Sequence, residues 1–296
     1  MYVSLALALS FAGTQWPWGS ARVVVLFVLA GVLFVVFGVT QYWAILTTVP
    51  YRLFPIQFLD NRQMVVLFVL TACGGSALFV SIYYIPLFFL FVHGDNATAA
   101  AVRLLPLVAF YSVGVLVCSR LLAMTRPSFF WLWYFVTGLF LTAGGAAMFT
   151  VKAEASDASK VYGFSFLLGI GFSTSQAAYY IATHHLVEAE KVPDAIQFLN
   201  ASQGTSQFLG LLIASAIFQS RAYDGIRGAL EGHGNFTEDQ IRGAIAGAHS
   251  QLLSELPADL RQRCLAAIVW TIQREWVLVI SAGALITISS LILIKH

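Results

Sequence analysis

Carboxylates are missing from the long apolar stretches of this chain. Residues 23–45, 64–92, 97–124, 129–151, 161–183, 195–220 and 276–294 contain no Asp or Glu. Charge is scarce throughout, since 10% of the 296 residues are charged against about a quarter in a soluble domain. That is too little to clothe a water-facing globule. The 16 lysines and arginines are scattered without a basic run, which removes nucleic acid and an anionic lipid patch from the expected partners. Cys73, Cys118 and Cys264 stand far apart with no CxxC spacing, so neither a disulfide framework nor a thiolate zinc site is expected. His184-His185 has no further histidines at ligand spacing, and no nucleophile motif or phosphate loop appears. The chain therefore reads as no enzyme, with no metal and no cofactor.

What remains is 59% hydrophobic, gathered into seven stretches each about as long as a bilayer core is thick. They run without period-two alternation, which selects helices over barrel strands, because backbone in lipid must bond within itself. The expected fold class is an all-α membrane protein. Gly74, Gly75, Gly114, Gly144, Gly145, Gly169, Gly171, Gly204, Gly210 and Gly283 fall inside these helices, where small residues form packing seams. Residues 1–13 are apolar but too short to span. They read either as a secretory signal or, preferred here, as the outer half of a cut spanning helix.

Sidedness is read from the basic residues of the loops. With the loop 51–61 inside, cytoplasmic loops hold six basic residues and the short outer loops four, in the sense of the positive-inside rule. The connection 221–274 then lies outside with six more. Two glycosylation sequons, at Asn96 and Asn235, fall on that same side. Within the connection, Thr237 to Gln240 has capping-box spacing and predicts a helix start. After Pro257, Leu260, Cys264, Leu265, Ile268 and Ile272 share a face and predict an amphipathic helix lying on the membrane before the last spanner.

Polar residues at membrane depth mark the candidate site. Asn200, Gln203 and Gln207 follow i, i+3, i+7 spacing and share a helix face. Ser173, Gln176 and Tyr180 share another, with Ser175 and Tyr179 beside it, and Tyr83 and Tyr84 precede Pro86. Aromatic rings with a few amides suit a small amphipathic organic substrate. The plain alternative is interhelical hydrogen bonding worth about a kcal/mol per contact, or, for the tyrosines, an interfacial belt. Arg103 lies one or two turns inside a spanner and reads as an anchor or a gate. Asp194 and Glu275 are placed at helix ends, so no carboxylate proton relay is expected within the chain.

Several segments carry a resemblance. Residues 78–106 (LFVSIYYIPLFFLFVHGDNATAAAVRLLP), 169–179 (GIGFSTSQAAY), 192–198 (VPDAIQF), 216–219 (AIFQ) and 234–247 (GNFTEDQIRGAIAG) are similar to the fourteen-spanner drug and proton antiporters of the major facilitator superfamily, in their fungal toxin-efflux branch. Arg103 matches the arginine of the Val-Arg-Leu-Leu-Pro element. Leu90 and His93 depart from the pattern, where the family has a glutamine and a basic residue.

The resemblance implies that 1–45 is a linker helix pair with its first member cut, 46–63 a cytoplasmic connection and 64–296 the C-terminal six-helix transport bundle, with an outer insert at 221–274. It implies efflux by alternating access and proton antiport, with the coupling carboxylates in an N-terminal bundle that this chain lacks. The plasma membrane is the expected location, with a vacuolar or other internal membrane as the alternative. A seven-helix membrane receptor and a nonfunctional transporter fragment are the rival readings.

Overall fold

The computed structural model describes all residues except 13–15, 18, 46–47, 49–51, 125–128, 153–157, 234–235, 247–250 and 296. Its α-helices are α1 (Tyr2–Phe11), α2 (Ala21–Tyr42), α3 (Arg62–Val92), α4 (Ala97–Val102), α5 (Leu105–Met124), α6 (Phe130–Phe149), α7 (Ala158–Leu186), α8 (Val192–Leu230), α9 (Glu238–Ala246), α10 (Gln251–Glu255) and α11 (Ala258–Ser290). Among the described residues, five stretches are long and apolar enough to cross a membrane: α2, α3, α4 with α5, α6, and α11 with the turn after it. With 29 and 39 residues, α7 and α8 are long enough, but they carry the serines and amides noted above and fall short in hydropathy. The seven expected spanners are thus five apolar helices and two with polar content.

Contacts fix their directions. Side by side, α5 and α7 run the same way, Phe110 against Gly169 and Gly114 against Ser173. The parallel pair α3 and α8 is bonded from Ser202 Oγ to the Phe68 carbonyl at 2.6 Å and from Ser76 Oγ to the Ser206 carbonyl at 2.9 Å. Opposed to α7, α3 sets Gly74 against Ser175 and stacks Phe89 on Tyr162. Opposed to α6, α11 sets Thr287 by Gly138, while Gln273 Nε2 donates to the Val151 carbonyl. The six helices α3, α5, α6, α7, α8 and α11 therefore alternate in direction.

Backbones meet most tightly where α6 crosses α11: a Cβ added to Gly283 would lie 2.6 Å from Thr142 N, so only glycine permits this approach. At the end of α3, Gly94 has φ of +65°, the left-handed geometry that closes a helix and that glycine adopts without cost.

The connection between α8 and α11 is built of helix. At 1.5 Å per residue the 39 residues of α8 reach about 58 Å, nearly twice a bilayer core. Its overhanging end packs with α9, α10 and the first half of α11, burying Ile226, Leu230, Ile241, Leu253, Leu260 and Cys264. Thr237 N donates to Gln240 Oε1 at 2.9 Å and Gln240 N to Thr237 Oγ1 at 3.3 Å, the reciprocal bonds of a capping box. This packed end is the cap end of the molecule.

The segment after Pro257 is not a separate helix on the membrane surface, because α11 runs unbroken from Ala258 to Ser290. Its apolar face packs on the cap instead. In consequence Glu275 stands well inside a helix, where it is 1% exposed, and is not a terminal residue.

At the opposite end, Phe54, Phe58 and Phe68 pack around Phe198. There Gln197 Nε2 donates to the Leu53 carbonyl at 2.9 Å, tying the segment before α3 to α8. Most of α2 is exposed, whereas α1 leans on α8 through Tyr2 Oη and Thr205 Oγ1 at 2.5 Å, with the Tyr2 ring edge-on to Phe208.

Candidate functional site

A polar seam runs between α7 and α8, where two helices that each expose a polar face meet in an apolar bundle. Gln203 Nε2 donates to Gln176 Oε1 at 3.2 Å. The Tyr179 hydroxyl lies 2.9 Å from Asn200 Oδ1 and 3.0 Å from the Ile196 carbonyl and donates to both. Tyr180 sets its ring edge-on to Tyr179 at 4.6 Å and is 46% exposed. On α8, Asn200 and Gly204 are exposed and Gln207 is half-buried. A Cβ built on Gly204 meets nothing within 4 Å, so this stripe of α8, between its contacts with α7 and α1, stays open.

Why the amides face this way follows from helix spacing. Ser202 and Ser206 point to α3 and bond backbone, Ser202 to Phe68 and Ser206 to its own Gln203 carbonyl. Phe208 and Thr205 point to α1. That leaves Asn200, Gln203 and Gln207 on the remaining sector, which a 3.6-residue period keeps together.

The other candidate residues lie elsewhere. Ser173 is buried at the α5 seam, 3.8 Å from Cys118 Sγ. Tyr83 is 45% exposed on α3. It stands eight residues beyond Gly75, which packs on Gln203, and so lies roughly 12 Å nearer the cap end. Tyr84 turns inward against Phe218 and is fully buried. His184 and His185 are exposed in the last turn of α7. Asn96 caps α4 by accepting from Ala99 N at 2.8 Å, and Asn235 lies outside the described residues.

Arg103 anchors the cap end of the bundle. Its guanidinium donates to both Asp95 carboxylate oxygens and to Tyr162 Oη at 2.9 Å, and it lies 4.8 Å from the centre of the Phe89 ring. Tyr162 stacks on that same ring, so α3, α7 and the α4–α5 joint close around one cation. Beside it is a shallow recess of about 440 Å³ lined by Ala99, Val102, Arg103, Pro106 and Tyr162. At the opposite end, Glu188 and Lys191 pair at 2.8 Å in the turn between α7 and α8. The ammonium holds the carboxyl below its ordinary range, and the carboxylate raises the Lys191 ammonium.

Two partners in this geometry were not singled out from sequence. The sequence places Tyr179 only beside the polar face, and its i, i+1 place next to Tyr180 hides that Tyr179 is buried and bonds Asn200 while Tyr180 is exposed. Gly204 passed as a packing glycine, although its place among three amides marks an open surface.

The comparisons with known proteins point one way. No protein-family model matches the sequence. The chain is 48% identical over 290 residues to the efflux pump patC of Aspergillus clavatus, covering 98% of this chain and 52% of that protein. It is 43% identical over 293 residues to the MFS-type transporter patC of Penicillium expansum, covering 99% and 53%. It is 35% identical over 283 residues to the MFS-type transporter pgmG of Aspergillus terreus, covering 96% and 50%. The chain spans about half the length of the curated relatives it matches. With a helical membrane fold and similarity along nearly its whole length, the chain is similar to about half of each of these major facilitator superfamily transporters.

Proposed function

We propose that this chain supplies the C-terminal six-helix bundle of an exporter of small amphipathic organic molecules. The observation that carries the reading is the polar stripe on α7 and α8, which the chain's own helices leave open. In this reading Asn200, Gln203, Gln207 and Gln176 orient the substrate and Tyr180 gives it ring contact, with the buried Tyr179 holding Asn200 in place, while a second six-helix bundle faces them. Alternating access rocks the two bundles about this site, with inward proton movement driving the substrate outward. The Arg103–Asp95 pair closes the outer mouth. Residues 1–45 act as a linker helix pair, 46–63 as a cytoplasmic connection and 221–274 as an outer insert, and the membrane is the plasma membrane. The names of the relatives and the alternating helix directions support this.

The test is export from yeast cells that lack their own drug pumps, with the chain expressed alone and with the N-terminal half of the Aspergillus clavatus relative. A fluorescent amphipathic cation reports accumulation. Lowered accumulation with both pieces, lost with Gln203→Leu, is the expected result. Accumulation that ignores every change at Asn200, Gln203 and Gln207 overturns the assignment of the site.

A further inference from the structure

Among the described residues, Glu275 is the only acidic or basic side chain that is fully buried. Neither of its carboxyl oxygens has a hydrogen-bond partner. The Tyr84 hydroxyl, on the α3 face opposite, is buried and unpartnered as well. Glu275 shares an i, i+4 stripe of α11 with Ala267 and Thr271, and Ala267 packs on Gly225 of α8, so this stripe looks toward the α8 seam. Two polar groups are thus set in an apolar junction of α3, α8 and α11, close to the cap end.

The surroundings decide what such a carboxyl can do. From α3 the group in electrostatic range is Tyr84. From α8 it is Arg221, which is exposed, and Phe218 covers the Tyr84 ring. Near this level Met148 of α6 and Val151, just past its end, face α11, with the exposed Lys152 beyond them. On α11 itself Arg274 stacks over Phe149 and Trp270 and is exposed. An ionised carboxylate with no partner is strongly disfavoured in such a junction, while the neutral acid is tolerated. Ionisation therefore requires a counter-cation or water, and Arg221 is the cation at hand.

We propose that Glu275 is a proton-binding site of this bundle, holding its proton while buried against Tyr84 and releasing it to water at the cap end as Arg221 moves in to pair with the carboxylate. Only one O–H bond is broken or made, and water takes or supplies the proton. The role in coupling rests on the transport reading above. The protonation itself does not.

The experiment treats the full chain in lipid nanodiscs with dicyclohexylcarbodiimide, followed by peptide mass spectrometry across a pH series. This reagent bonds to a carboxyl that carries its proton in apolar surroundings. An adduct on Glu275 in acid that is lost in alkali is expected. Arg221→Gln should carry the adduct to more alkaline pH, and Glu275→Gln should remove it. No adduct on wild-type Glu275 at any pH, a yield that does not change from acid to alkali, or an Arg221→Gln profile that overlays wild type would each overturn the proposal. None of these readouts needs transport. A chain that exports nothing yet labels with the expected profile refutes the transport reading alone.

Discussion

One methyl group at Gly138 is expected to part α6 from α11. A Cβ built there falls 2.2 Å from Thr287 Oγ1 and 2.6 Å from both Thr287 N and the Gly283 carbonyl oxygen. The threonine hydroxyl is tied to that same carbonyl at 2.9 Å, and the other two atoms are backbone, so no rotamer change relieves the clash. Ordinary contact begins near 3.4 Å, and the helices must separate by the difference, about 0.8 Å. Overpacking of this kind costs about 1–3 kcal/mol, and at about 2–4 °C per kcal/mol the melting point of Gly138→Ala should fall by roughly 2–12 °C. Thermal unfolding in detergent with a fluorogenic thiol reagent reads this directly, because Cys118 and Cys264 are buried until the bundle opens. The matched control is Gly204→Ala, where the new methyl meets nothing and helix propensity should contribute about 0.5–1 kcal/mol of stability. A Gly138→Ala melting point equal to or above that of Gly204→Ala would refute the reasoning.

Other expectations follow from the same geometry. In a transport-competent assembly, cysteine at Asn200 or Gln207 should react with a membrane-impermeant thiol reagent; complete protection would mean the stripe is packed. Gln176→Leu should remove the 3.2 Å bond to Gln203 at a stability cost of about 0.6 kcal/mol, with a larger effect on export than on melting; the reverse ranking would make the pair structural only. Asp95→Asn should lower the melting point by no more than about 1 kcal/mol equivalent, because the pair is partly exposed. A much larger loss would show that Arg103 depends on Asp95 to stay folded in place.

Helix positions were legible because lipid-facing stretches advertise themselves: Val23 to Tyr42 is almost wholly apolar, and the capping Asn and Ser residues stand where helices begin, Asn61 before α3 and Ser20 before α2. Helix ends in water were harder to read. Hydropathy drops at Arg221 and before Trp276, but backbone hydrogen bonding does not stop there, and α8 and α11 run on to Leu230 and back to Ala258. The missing signal was the lack of any Pro or Gly from 258 to 282. Glu275 was misplaced for that reason. The amide stripe was readable from spacing alone, but its pairing with Gln176 and Tyr179 depends on how two helices meet, which periodicity in either one does not contain.

The unbroken course of α8 and α11 makes the cap a lever. A pair of rods fixed in the bundle and joined outside it converts a few degrees of tilt at the amide stripe into a displacement of several ångströms at α9, since the stripe and the far end of α8 are separated by roughly 35–45 Å of continuous helix. A binder or fluorophore attached to the exposed Glu238 face of α9 would sit on the pointer of that gauge, far from the amide stripe. In the proposed alternating-access cycle it would report the rocking of the bundle without touching the proposed site.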